Sequence, residues 1–277
     1  MNKSTSHAET MQNATSMTLP APEDLPTLKG KVSDEEWRLR CELAATYRLV
    51  ALYGWEDMIF THISVRLPDE EGKARFLMNP YGLLFDEITA TSLIKVDMEG
   101  QLIGETPYFS NPAGFTIHSA LHMGRSDAHC VLHLHTPYGV AVSVQQGGLK
   151  RYTQFSMVVN DDVAYHDYEG IATDLDERDR LVADIGAHNY MMLKNHGTLT
   201  VGHDCASAFL RMYFLEQACK TQILAQSDTV APTEQPAEMS AKVHAQAEAG
   251  MAPDLAPRLA WSALMRRLHR VNPGYDV

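Results

Sequence analysis

The chain of 277 residues is 45% hydrophobic and 21% charged, which gives enough apolar content for a large core and argues against a disordered chain. Its formal net charge of -12, with 23 Lys and Arg and no long basic block, excludes a phosphate-neutralising nucleic-acid face. No apolar run reaches the roughly 18 residues of a membrane span, and "MNKSTSHAETMQNATSMTLPAPEDLP" lacks a signal-peptide core, so the expectation is a cytoplasmic protein with no membrane partner.

Residues 1–32, rich in Ser, Thr, Pro and Ala, read as a mobile N-terminal arm. Ser33 with Glu36 forms a capping box, and helical spacing of apolar residues continues to Gly54. Short strands are expected at "THISVRLP", "FLMNP" and "LIKVDM", the first two joined by a hairpin loop at "DEEGKA". Asn111 as cap and Pro112 in the first turn predict a helix over 112–124.

A strand in "CVLHLH" and a short helix in "PYGVAVSVQ" come next, then strands at "TQFSMVV" and "VAYHDY". A helix in "DLDERDRLVADIG", a strand "YMMLKNH" leading into "GTLTVG", and a long helix over about 204–226 complete a main domain of residues 33–227. Residues 228–254 read as a linker or exposed arm reaching a final helix, "RLAWSALMRRLHRV", so that 228–277 forms a C-terminal extension. Interleaved strands and helices without a regular βαβ repeat predict a layered α/β or α+β core rather than a dinucleotide-binding sheet. The four cysteines are scattered and lie in apolar stretches, as buried thiols of a reducing compartment do.

His133 and His135, two apart in an apolar strand, face the same way, and each brings a ring nitrogen that burial leaves to be satisfied. Two neutral imidazoles so placed can converge on one cation. His196 stands where the strand "MMLKNH" breaks into a turn, and Gly197 is expected to let the backbone bend there. Three histidines would leave a coordination position open, as catalytic zinc sites do. Histidines satisfied by backbone carbonyls, or used as turn residues, would produce the same pattern.

The segments "NPYGLLFDEITATSLIKVDMEG", "NPAGFTIHSALHMGRSDAHCVLHLHTPYGVAVS", "VAYHDYEGIA" and "LKNHGTLTVG", in this order over about residues 35–225, resemble the class II aldolase/adducin family, closest to its adducin-like branch. The resemblance implies a three-layer α/β/α domain with a central, mostly antiparallel β-sheet, usually in a cyclic homotetramer with active sites at subunit interfaces. It implies that His133, His135 and His196 bind a catalytic divalent cation, zinc by preference. It also implies that Tyr168 is an acid/base, supplied by a neighbouring subunit in the aldolases; His166 is a second candidate for that task. His118 reads as a supporting residue, and His122, His129 and His203 as packing or surface residues. The C-terminal segment, with Tyr275, Arg266, Arg267 and Arg270, is expected to close over a neighbour.

This chain departs from the sugar-phosphate aldolases at three places. Gly114 stands where those enzymes carry a metal-binding Glu, Thr61 and His62 where they have a phosphate-binding turn, and Pro112 and Ala113 where they have a Ser pair. The phosphate cradle is thus largely absent. Glu105 could in principle stand in for the Glu, and Arg66 and Lys194 could meet a substrate anion. Tyr108, Phe109, Phe115, Phe155 and Met157 are expected near the site. The resulting expectation is a zinc-dependent aldehyde-lyase of aldolase type acting on a small, unphosphorylated and perhaps aromatic hydroxy compound. A decarboxylase or epimerase would use the same enolate. A non-catalytic module, as in the cytoskeletal animal adducins, is the alternative, against which the lack of a Lys-rich tail before Val277 weighs.

Overall fold

The computed structural model describes residues 19–250 and 254–277, so most of the expected N-terminal arm lies outside the described residues. Helix α1, Asp34–Leu52, starts where the Ser33 hydroxyl accepts from the Glu36 N–H at 3.1 Å. Strands β1 (His62–Arg66), β2 (Arg75–Met78) and β3 (Ile94–Asp97) follow as an antiparallel meander. Helix α2, Pro112–Gly124, is capped by Asn111, whose side chain accepts from the Ala113 N–H.

Strand β4, Cys130–Leu134, leads into the short helix α3, Pro137–Ser143. Then come α4 (Gln154–Val159), β5 (Val163–His166), α5 (Glu177–Ile185), β6 (Tyr190–Leu193) and β7 (Gly197–Gly202). The long helix α6, Cys205–Gln226, opens with reciprocal bonds between Asp204 and Ser207. Helices α7, Ala237–Gly250, and α8, Leu255–Val271, finish the chain.

The seven strands form one sheet in the order β3-β2-β1-β4-β7-β6-β5, antiparallel throughout except for the β5–β6 pair. Alternation along β4 divides the core between two faces. Cys130, Leu132 and Leu134 join α1, α6 and Leu268 of α8 in the larger cluster. Val131 joins α2 and α5 in a second cluster on the opposite face. Helices thus cover both faces, the three-layer arrangement expected.

Two expectations are corrected. "TQFSMVV" is helix α4 and not a strand: Thr153 accepts from the Ser156 N–H and Ser156 Oγ returns to the Thr153 N–H, and this capping box outweighs the β-branched residues. Within 228–254, a stretch read as a linker or exposed arm, residues 237–250 are helix α7, which packs on α4 and is pinned where Val158 O accepts from His244 Nδ1 at 2.7 Å. The Ala-rich run has good helix propensity once a surface is present to hold it.

The C-terminal segment docks on its own chain. Arg48 of α1 donates to Asn272 Oδ1 at 2.7 Å and to Pro273 O at 2.6 Å, and the Ala90 and Thr91 N–H groups donate to Tyr275 O and Val277 O. Tyr275 is buried there, whereas Arg266, Arg267 and Arg270 face solvent. Tyr108 O–H likewise donates to Pro20 O at 2.9 Å, tying residues before α1 to the core.

Candidate metal centre

His133 lies in β4 and His135 one residue past its end. The turn between β6 and β7 brings His196 to them. Its ring centroid is 4.7 Å from that of His133 and 4.8 Å from that of His135. One ring nitrogen of each of the three lies within 4.8 Å of the others.

The turn is built differently from the expectation. Asn195, with φ 58°, takes the left-handed conformation that asparagine tolerates, and its N–H donates to Ser143 O at 3.1 Å. Gly197 is needed for closeness instead. A Cβ there would stand 2.6 Å from Leu134 O and 3.0 Å from His135 Cδ2, so only glycine lets β7 approach the histidines.

Hydrogen bonds fix where the protons are. His133 Nδ1 stands 3.1 Å from Thr198 O, and a carbonyl can only accept, so Nδ1 carries the hydrogen. His135 Nδ1 donates in the same way to Asp57 Oδ2 at 2.9 Å. In the neutral rings both Nε2 atoms are then bare, and they face one another at 3.1 Å. Burial keeps His133 neutral by pushing its pKa well below the usual value, and burial brings His196 down to about 4.

Two lone pairs turned on each other repel unless a cation lies between them. With Zn–N bonds of about 2.0–2.1 Å, two nitrogens of a tetrahedral site sit about 3.3–3.4 Å apart. The donor set therefore fits a divalent cation, and Asp57 and Thr198 O hold the ligands from behind in the manner of metal-bound histidines.

Tyr168 and His166 both reach this neighbourhood. The exposed Tyr168 ring is 6.5 Å from the His196 ring of the same chain, and both residues line one small cavity with His196. His166 is buried and held by acids: its Nδ1 donates to Asp184 Oδ2 at 2.7 Å, while Nε2 is 3.3 Å from Glu177 Oε1.

Other expected residues go elsewhere. Glu105 is exposed and lines a groove with Arg40 and Lys95. Arg66 donates to His122 O at 2.8 Å and pairs with Asp69, and Lys194 pairs with Asp167 at 2.6 Å. Tyr108 and Phe115 belong to the larger core cluster, and Phe155 packs on Phe214. These three aromatic rings fill core, so they lend no aromatic lining to the histidine cluster.

The space above Gly114 is taken. A Cβ on that residue would stand 2.7 Å from His62 Cδ2 and 2.9 Å from its Cγ. His62 pairs in register with His133, and their ring centroids are 5.0 Å apart. Sequence reasoning missed that the His62 ring of β1 fills the space beside Gly114 of α2. It also missed Asp57, which sits in a loop 78 positions from His135, where no spacing rule links the two.

Residues 41–223 match the family model described as Class II Aldolase and Adducin N-terminal domain. The chain belongs to this class II aldolase/adducin family. A putative aldolase class 2 protein of Caulobacter vibrioides is 54% identical over 256 residues, 91% of this chain and 97% of that protein. Mouse alpha-adducin is 41% identical over 197 residues, 70% of this chain but 26% of that protein. The solved structure of L-fuculose 1-phosphate aldolase from Glaciozyma antarctica PI12 is 27% identical, with a TM-score of 0.74 over 91% of this chain and 96% of that one. The class II aldolase/adducin family joins aldolases with adducins, so membership carries the fold and leaves the chemistry to the site. Among the described residues, no helix is long and apolar enough to cross a membrane.

Proposed function

We propose that this family member is a zinc-dependent aldehyde-lyase that cleaves an unphosphorylated hydroxy compound by a retro-aldol route, releasing a small aldehyde. The observation that carries the reading is the pair of bare Nε2 atoms of His133 and His135, 3.1 Å apart, with His196 beside them. When bound, a divalent cation supplies the Lewis acidity that stabilises enolate charge as the carbon–carbon bond breaks.

The chain's own residues handle the proton. Cleavage removes a hydroxyl proton from the substrate, converts that carbon to a carbonyl, and returns a proton to the enolate carbon. Tyr168 has an exposed hydroxyl-bearing ring at the cluster and is the carrier in this reading, with His166 the second candidate. Substrate without phosphate is favoured because Thr61 is buried, Pro112 has no N–H to offer, and Arg66 and Lys194 are already paired. The reading extends to a homotetramer, on the family resemblance, in a reducing cytoplasm that keeps the four cysteines as free thiols.

Metal analysis of the purified chain, followed by a screen of hydroxy compounds for aldehyde release, tests the proposal. Zinc in wild type, its loss in His133→Ala, and turnover lost with it are the expected results. Turnover only of phosphorylated sugars would reject the substrate class, and full activity in the metal-free variant would reject the mechanism. A second reading, a non-catalytic binding module, is favoured by one feature: Gly114 brings no carboxylate to the cluster. Bound zinc without turnover of any carbonyl compound would select it.

A further inference from the structure

Behind the three-histidine cluster runs a chain of buried polar side chains that alternates between β1 and α2. His62 and Ser64, two apart on β1, share one face, and His118 and His122, four apart on α2, share another. His62 Nδ1 is 2.9 Å from His118 Nε2, His118 Nδ1 meets Ser64 Oγ, Ser64 Oγ is 2.6 Å from His122 Nε2, and His122 Nδ1 is 2.9 Å from Ala128 O. His118, His122 and Ser64 are fully buried, and no carboxylate among the described residues pairs with any of the three rings. A cation in this chain would be an unpaired buried charge, so all three rings are neutral.

With one proton per ring and one per hydroxyl, the order is forced from its far end. Ala128 O only accepts, so His122 carries its hydrogen on Nδ1 and its Nε2 must accept from the Ser64 hydroxyl. The Ser64 oxygen then accepts from His118 Nδ1–H, which leaves His118 Nε2 to accept from His62 Nδ1–H. The last ring in line therefore has no hydrogen on Nε2. That atom has no hydrogen-bond partner among the described residues.

We infer that this relay fixes His62 in the Nδ1–H form and sets its bare Nε2 beside the three-histidine cluster, as the hydrogen-bond acceptor that takes the place left by Gly114. The inference rests on the metal-centre reading for its purpose but not for its geometry. His62 falls outside the group of ring nitrogens that lie within 4.8 Å of one another, so it acts as a positioning residue towards a substrate hydroxyl and not as a ligand. The His62 ring fills the space that a side chain at Gly114 would enter from α2, and its tautomer is set from within the core.

Nitrogen-15-labelled full-length protein, stripped of metal, tests this directly by long-range proton–nitrogen correlation spectra, which separate protonated from bare ring nitrogens. His62, identified by the signal lost in His62→Gln, is expected in the Nδ1–H form together with His118 and His122. A hydrogen on His62 Nε2 overturns the inference. Ser64→Ala should release His62 into a mixture of both forms while Ser64→Thr, which keeps the hydroxyl, preserves one; if the alanine variant does not fold, loss of the single form in the threonine variant overturns the relay. Cobalt(II) titration of His62→Gln should show binding as in wild type, and loss of cobalt there would make His62 a ligand and overturn its positioning role. Wild-type protein with His62 in the expected form but no cobalt binding would keep the relay and defeat the metal centre, so the two failures are distinguishable.

Discussion

His135 Nδ1 donates to Asp57 Oδ2 at 2.9 Å, joining the loop after α1 to the end of β4 across 78 positions. This bond fixes which nitrogen of His135 is bare and which way the ring faces. Asp57 is half exposed and adds no core packing. Asp57→Ala is therefore expected to weaken divalent-cation affinity by about 10–100-fold with little change in melting temperature. Titration with zinc against a competing chelator measures it, and wild-type affinity in the variant would show that Asp57 does not serve the cluster.

His62 and Gly114 compete for one space. Adding a Cβ at Gly114 forces it against the His62 ring at 2.7 Å, in a fully packed region. Gly114→Ala is expected to cost about 1–3 kcal/mol, the usual range for overpacking. In a His62→Asn background the same change should cost less, because the smaller side chain vacates the volume. Urea melts of the two single variants and the double variant give the coupling, and additive effects would mean that the two positions are independent.

Much of this was legible in advance. Caps at Ser33 and Asn111, helical spacing, and the His-x-His strand place α1, α2, α6 and β4 close to where they are found. The meeting of His133, His135 and His196 was legible too, since a buried strand rarely accepts imidazole without a use for it. What failed had no local signal. The capping box at Thr153 overrode strand-like residues, and α7 becomes a helix against α4. The Asp57 bond to His135 and the packing of His62 against Gly114 depend on contacts between strand, loop and helix that spacing along one chain does not encode.

Stability on the acid side should follow the buried rings. Burial brings His122 down to about 3, far under the usual 6.5, and moves His62 and His118 in the same direction. Between those values the unfolded chain binds protons that the folded chain refuses. The contribution of these rings to stability is thus complete above about pH 6.5 and drains away as the pH falls towards about 3. Urea midpoints are expected to drop steadily from about pH 7 to about pH 5, and a flat profile would mean that the rings are not held neutral in the folded state.

Glu216 works in the opposite sense. Its Oε2 accepts from Thr136 Oγ1 at 2.5 Å, and Thr136 caps α3 immediately after His135. Burial raises its carboxyl from 4.5 to about 7, partly offset by the Thr136 bond. A carboxyl whose folded pKa lies above its unfolded value adds stability that is whole below about 4.5 and is lost as the pH rises through about 7. Glu216→Gln keeps an acceptor for Thr136 but cannot ionise. It should match or trail wild type at about pH 5 and exceed it at about pH 8.5, with the difference growing by up to about 1.4 kcal/mol per pH unit across the titration. Unfolding curves at those two pH values decide the matter: a constant offset between variant and wild type would mean that Glu216 titrates alike in both states.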